Sequence, residues 1–292
     1  MSRIQDILNK AEREGGVRRT RPISDGQSAA ATMPPPVAET TPAQEDAPLW
    51  VPPPVAPAPD EDTAGIDIRI DRRLVAALAP QSLAAEQYRS LRTRLMRAAA
   101  GRSLRSIIIT SPGKGDGKTL TAANLALTMA EDFQQRVLLV DADLRRPAQH
   151  ELFGLGDVAG LTDVLMGAST LESALIAIED QHLTVLPAGM PATRPAELLG
   201  SAAMRRVMET LRARFDRIIF DMPPVEPLAD VNILAPLVDG VLMIVRAGMT
   251  PKPAIERALA GLDVSRVLGL VLNETGGDGT NERYEGYGYI AG

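Results

Sequence analysis

The chain has no cysteine. That absence excludes a disulfide framework, thiolate zinc sites, iron–sulfur clusters and a cysteine nucleophile, and it is compatible with a reducing cytoplasm. Histidine is nearly as scarce: His150 and His182 are the only two, too few for a histidine-rich metal site. No apolar run approaches the roughly 20 residues of a transmembrane helix, and the N-terminus lacks the apolar core of a signal peptide. A soluble, cytoplasmic chain is expected. Basic charge is not in excess either. With 31 Lys and Arg against 37 Asp and Glu the net charge is -6, which argues against nucleic acid as the main partner because phosphate backbones need a basic surface. What is present suffices for a core: 45% hydrophobic residues over 292 positions rule out a wholly disordered or fibrous chain.

Eleven of the 23 prolines lie in residues 1–66, among Ala, Thr, Asp and Glu. Residues 16–66 therefore read as a disordered, polyproline-like linker. Ahead of it, in residues 1–15, Ser2-Arg3-Ile4-Gln5 has capping-box spacing, and Ile4, Ile7, Leu8 and Ala11 follow a helical period until Gly15-Gly16. The spacing predicts a short amphipathic helix over 3–14, either a fraying terminus or a peptide that folds on a partner. From residue 67 to 274 the composition is that of a globular domain. Strands are expected at 106–110, 136–141, 183–186, 217–221, 240–245 and 267–273, with helices at 122–130, 201–214 and 254–262. Alternation of this kind implies an α/β fold with a mostly parallel, doubly wound sheet.

The chemistry concentrates at three strand ends. Ile107-Ile108-Ile109-Thr110 runs into Ser111-Pro112-Gly113-Lys114-Gly115-Asp116-Gly117-Lys118-Thr119. A bound triphosphate needs converging backbone N–H groups, a helix N-terminus, a lysine for the β- and γ-phosphates and a hydroxyl for Mg²⁺, and this order of residues supplies all four. The usual motif has glycine six residues before the lysine, where this chain has Pro112. A second apolar strand ends in Asp141-Ala142-Asp143-Leu144-Arg145-Arg146-Pro147 and a third in Asp221-Met222-Pro223-Pro224. In a parallel sheet the C-terminal strand ends line the ligand crevice, so Asp141, Asp143 and Asp221 are candidates to surround a metal and γ-phosphate.

These three motifs resemble Walker A, Walker A′ and Walker B of the bacterial tyrosine kinases of capsule and exopolysaccharide biosynthesis. The likeness extends to Gly160-Leu161-Thr162-Asp163-Val164-Leu165, to Pro195-Ala196-Glu197-Leu198-Leu199 and to Gly269-Leu270-Val271-Leu272-Asn273, and so spans residues 82–292. The resemblance implies a P-loop NTPase domain of the MinD/ParA-like branch and ATP and Mg²⁺ as cofactors. It implies Lys118 on the phosphates, Thr119 on Mg²⁺, Asp141 and Asp143 around the metal and the attacking tyrosine, and Asp221 beside the metal behind its direct ligands. It also implies nucleotide contacts from Gly113, Lys114, Gly115, Asp116 and Gly117. Asn273, after the last strand, is a candidate for the adenine base or an ordinary turn residue. Where MinD/ParA loops carry a signature lysine this chain has Gly113, with Lys114 one place later, which favours the kinase branch.

Two further features accompany the motifs. Ala84, Tyr88, Leu91 and Leu95 form one apolar helix face, so Glu86, Arg89 and Arg92 are expected to point outward. Their spacing resembles the family's ring-forming motif; from pattern alone it reads as a solvated ion-pair face. Three of the four tyrosines, Tyr284, Tyr287 and Tyr289, occupy the last nine residues, separated by glycine, in a flexible tail over 275–292. That tail resembles the family's C-terminal tyrosine cluster. The expected activity is ATP-dependent tyrosine autophosphorylation, with Lys118 stabilising charge and Asp141 or Asp143 as base, the choice between them open. A MinD/ParA-like ATPase switch and a non-catalytic nucleotide-binding regulator are the rivals. The resemblance implies a membrane polysaccharide co-polymerase as activator, a cognate phosphotyrosine phosphatase, a homo-oligomeric ring and a place at the inner face of the cell membrane.

Overall fold

Five-residue stretches such as Ser106–Thr110 and Val137–Asp141 are buried at every position, which only a strand covered on both faces can tolerate. The computed structural model describes residues 70–275 apart from 99–103, 133 and 179–180. The expected N-terminal helix, the proline-rich linker and the tail tyrosines lie outside the described residues.

In chain order the elements are α1 (Val75–Leu78), α2 (Leu83–Ala98), β1 (Ser106–Thr110), α3 (Lys118–Ala130), β2 (Val137–Asp141), α4 (Gln149–Leu152), α5 (Leu161–Met166), α6 (Leu171–Ala174), β3 (Ile176–Ile178), β4 (Leu183–Leu186), α7 (Pro195–Leu199), α8 (Ala202–Arg214), β5 (Arg217–Asp221), α9 (Asp230–Leu234), β6 (Gly240–Arg246), α10 (Lys252–Ala260) and β7 (Val267–Asn273). The strands form one seven-stranded sheet in the order β3-β4-β2-β5-β1-β6-β7. All pairings are parallel except β3 with β4. The antiparallel edge strand was not expected, because the three residues Ile-Ala-Ile are too few to show a period.

Alternation along the strands builds two cores. Ile108, Leu138, Val140, Ile218 and Phe220 face a layer that includes Leu161, Leu199, Met204 and Leu211. Ile107, Ile109, Leu139 and Ile219 face the other layer, with Leu74, Leu95, Leu125 and Phe153. The helix expected from residue 122 begins at Lys118, so the P-loop turn feeds straight into its first turn. The helix expected over 254–262 runs two residues earlier, and Ser201 caps α8 by accepting from the Met204 N–H.

The placement of Arg89 and Arg92 corrects the outward-pointing expectation. Arg89 donates to both carboxylate oxygens of Glu131, at 3.0–3.2 Å, and Arg92 donates to the Thr128 carbonyl and to Glu131. Both guanidinium groups thus cover the C-terminal end of α3, where unpaired carbonyls attract cations. Glu86 alone projects into solvent, reaching back to Arg89 at 3.2 Å. A long arginine side chain can lie sideways off its helix onto a neighbour, which a 100° wheel cannot show.

Candidate active site

The register of β2 with β5 places Asp141 directly beside Asp221. β5 also pairs with β1, so the P-loop leaves the sheet at the adjoining strand. Two carboxylates and a lysine therefore meet at the C-terminal ends of three neighbouring strands. Lys118 Nζ lies 2.9 Å from Asp143 and 3.4 Å from Asp221. The Thr119 hydroxyl is hydrogen-bonded to Asp221 and accepts from Lys118 at 3.1 Å.

Burial decides the electrostatics. Asp141 is fully buried, and desolvation together with the charge of Asp221 pushes its carboxyl up to about 7. Burial raises Asp221 as well, against the opposing pull of Lys118 and of hydrogen bonds from Thr119 and Gln149. On Lys118, burial works against the charge, but Asp221, Asp143 and Asp141 outweigh it and the ammonium is held above its usual range. The oxygens of Asp141 are already engaged: Oδ2 accepts from the N–H groups of Ala148 and Gln149 at 2.9 Å, and Oδ1 from that of Asp143 at 3.2 Å.

The P-loop is braced from behind. Gly115 and Gly117 have φ of +88° and +92°, a region that suits glycine, and a Cβ on Gly117 would lie 2.0 Å from the Asn273 amide. Asn273 donates to the Asp116 carbonyl at 3.0 Å, so it holds loop backbone. The Asp116 carboxylate accepts from the Gly113 N–H at 2.9 Å and from the Thr250 hydroxyl at 2.7 Å. Lys114 and Gly115 are exposed at the rim.

A cleft of about 910 Å³ opens over this wall, lined by Lys118, Thr119, Asp143, Arg145, Arg146, Pro223 and Pro224 among others. Arg145 reaches out of the Walker A′ loop to a bidentate pair with buried Asp230, at 2.8 and 3.1 Å, tying that loop to the N-terminus of α9. Among the described residues no three of Asp, Glu and His converge as a ready-made metal cage. A hydrated Mg²⁺ held mainly by phosphates needs fewer protein ligands, and a hydroxyl beside a carboxylate, as at Thr119 and Asp221, is the kind of donor set it takes. The motif readings missed Gln149, Thr250 and Asp230. Each acts through a fold contact that carries no signature of its own.

A family profile described as an AAA domain matches residues 105–256. Tyrosine-protein kinase YwqD of Bacillus subtilis (strain 168) is 40% identical over 207 residues, covering 70% of this chain and 87% of that protein. The chain belongs to the bacterial tyrosine-protein kinases. Tyrosine-protein kinase wzc of Salmonella typhi is 32% identical over 219 residues, 74% of this chain and 30% of that protein. Among solved structures, the kinase domain of the Escherichia coli tyrosine kinase ETK matches with a TM-score of 0.65 at 29% identity, covering 68% of this chain and 79% of that one. The chimerical protein CapA2B2 matches with a TM-score of 0.66 at 31% identity, covering 70% and 91%. The resemblance carried by the three strand-end motifs therefore holds, and the cleft of this kinase is where they meet.

Proposed function

We propose that this kinase is an ATP-dependent autokinase that phosphorylates its own C-terminal tyrosines and thereby regulates polymerisation or export of a surface polysaccharide. The observation that carries the reading is the convergence of Lys118, Thr119 and Asp143 on one wall of the cleft beside the P-loop, with Asp221 buried behind Lys118. Converging N–H groups from Lys114 to Thr119 cradle the phosphates, the Gly113 N–H being turned to Asp116, and Lys118 exchanges its carboxylate partners for phosphate oxygens. Thr119 with Asp143 and Asp221 would hold Mg²⁺, which when bound would supply neutralisation of the developing phosphate charge. Asp143 lines the cleft and takes the tyrosine proton, whereas Asp141, held by three backbone N–H groups, orients the loop that carries it.

Tyr88 on α2 is half-buried and hydrogen-bonded to Thr121 and Asn124, with burial raising its hydroxyl above the usual range. That leaves Tyr284, Tyr287 and Tyr289 as acceptors. Tyr284 lies 11 residues past Asn273, so at about 3.3–3.6 Å per residue the tail reaches on the order of 35–40 Å, enough for a neighbour's cleft. Glu86, Arg89 and Arg92 would form the contact between copies in a ring. No helix among the described residues is long and apolar enough to cross a membrane. ExoP of Rhizobium meliloti, 34% identical over 202 residues, is named a succinoglycan biosynthesis transport protein, which supports a membrane co-polymerase as this kinase's activator. A phosphotyrosine phosphatase would reset the tail.

The test mixes a Lys118→Met protomer bearing an intact tail with an active protomer carrying Phe at 284, 287 and 289, under Mg-ATP. Mass spectrometry is expected to find phosphate on the inactive protomer's tail and none on Tyr88. Phosphate on the wild type but not in the mixture means transfer within one subunit. No phosphotyrosine in the wild type, with or without a membrane partner, returns the chain to an ATPase switch or a silent regulator.

A further inference from the structure

Gln149 opens α4 and is completely buried, in a position none of the motifs includes. It touches all three strand-end loops. Its backbone N–H donates to Asp141 Oδ2 at 2.9 Å. Its side-chain Nε2 donates to the Thr119 carbonyl at 3.1 Å and to Asp221 Oδ2 at 3.0 Å, which uses both amide protons. Its Oε1 is buried and has no hydrogen-bond partner among the described residues.

Buried polar atoms are nearly always paired, so an unpaired one calls for a partner from outside the chain, an ordered water or a ligand. The two acceptors fixed by Nε2 belong to the first turn of α3 and to the Walker B aspartate, the residues assigned above to the metal side of the cleft. With Nε2 committed to them, the amide cannot be turned round without setting its oxygen against two acceptors. The oxygen left over is an acceptor on the residue that bridges Thr119 and Asp221. Hydrated Mg²⁺ brings the matching chemistry, since water on the cation presents protons and needs acceptors.

We propose that Gln149 is a positioning residue of the Mg-nucleotide site: its amide nitrogen fixes Asp221 against the first turn of α3, and its Oε1 accepts a proton from a water that arrives on the metal. The inference rests on the reading of Thr119 and Asp221 as metal-side residues. Partners behind direct metal ligands commonly change metal affinity by about 10–100-fold when removed, without touching the metal. A residue that only packed would instead change folding stability and leave metal affinity alone.

The experiment uses the full chain as Gln149→Leu, Gln149→Met and, for comparison, Asp221→Asn. Mn²⁺ replaces Mg²⁺ so that free metal is read by electron paramagnetic resonance in the presence of saturating ADP. Calorimetry in EDTA gives metal-free ADP affinity. Both Gln149 variants are expected to weaken Mn²⁺ binding by roughly 10-fold with metal-free ADP affinity within about 2-fold of wild type. Autophosphorylation should fall at low Mg²⁺ and recover towards wild type at high Mg²⁺. Should Gln149→Leu fail to fold, the unbranched Met variant, similar in volume to Gln, supplies the result. Wild-type Mn²⁺ affinity in the Gln149 variants, with affinity lost in Asp221→Asn, overturns the proposal and makes Gln149 a packing residue. Undiminished affinity in Asp221→Asn as well overturns the metal-side reading on which it stands.

Discussion

Lys118 holds together a wall that repels itself. Removing it is expected to abolish phosphotyrosine, since on the proposed reading the γ-phosphate loses its lysine, but the geometry adds a second cost. Lys118→Met leaves Asp143 and Asp221 buried without their cation, and the ligand-free chain is expected to lose about 3–5 kcal/mol in urea unfolding. A variant that lost phosphotyrosine with unchanged stability would show that the two ion pairs contribute nothing in solution. Asp141 gives a pH signature. Its folded value of about 7 lies above the unfolded value of 3.8, so the folded state binds this proton more tightly. The associated stability is present below pH 4 and is lost as pH rises through 7. The melting temperature of the ligand-free chain should therefore carry a downward contribution between about pH 4 and 7 that Asp141→Asn removes. A wild-type slope no steeper than that of Asp141→Asn would contradict this.

At the scale of elements, α2 packs against α3 and reaches the end of that helix through Arg89, Arg92 and Glu131. Exposed ion pairs of this kind contribute only about 0.2–1 kcal/mol each. Alanine at Glu86, Arg89 and Arg92 together should thus cost about 1–2 kcal/mol, mainly through the lost cap on the Thr128 carbonyl. If the same arginines serve a ring, light scattering with ATP and partner present will show a smaller mass for the triple variant. Full-size oligomers from that variant would confine these side chains to their intrachain role. Glu131→Ala separates the two functions, because it releases the arginines from α3 without removing them, and it should leave the mass undiminished.

For the whole molecule, both sheet faces are covered by residues after 70, and every group assigned to the nucleotide lies between 113 and 273. A truncation beginning near Gly65 is expected to keep ADP affinity within about 2-fold, read by calorimetry, because residues 1–66 are proline-rich and short of core-forming side chains. Lost affinity would mean that the N-terminal extension reaches the cleft. Phosphate on three tail tyrosines adds up to about -6 of charge, at roughly -1.5 to -2 each, so clustered tails should repel and loosen an assembly.

The strand ends were legible in the sequence because their information is local: an apolar run followed by Asp-Ala-Asp, by Asp-Met-Pro-Pro or by a glycine-rich turn states its own geometry within a dozen residues. The doubly wound α/β fold followed from the same periodicity. The pairing order is another matter, since it is decided by which buried faces complement one another over long sequence separations. Only the insertion of β5 between β2 and β1 puts Asp141 beside Asp221 and within reach of the P-loop lysine. Thr250 meets Asp116 across 134 residues, Gln149 meets Asp221 across 72, and Arg89 turns sideways to Glu131 across 42. None of these contacts leaves a period or spacing in the chain. The sequence by itself determined which residues carry the chemistry, and the tertiary structure decided which neighbours hold them, because a side chain's charge and reach are local properties whereas its environment is assembled by packing.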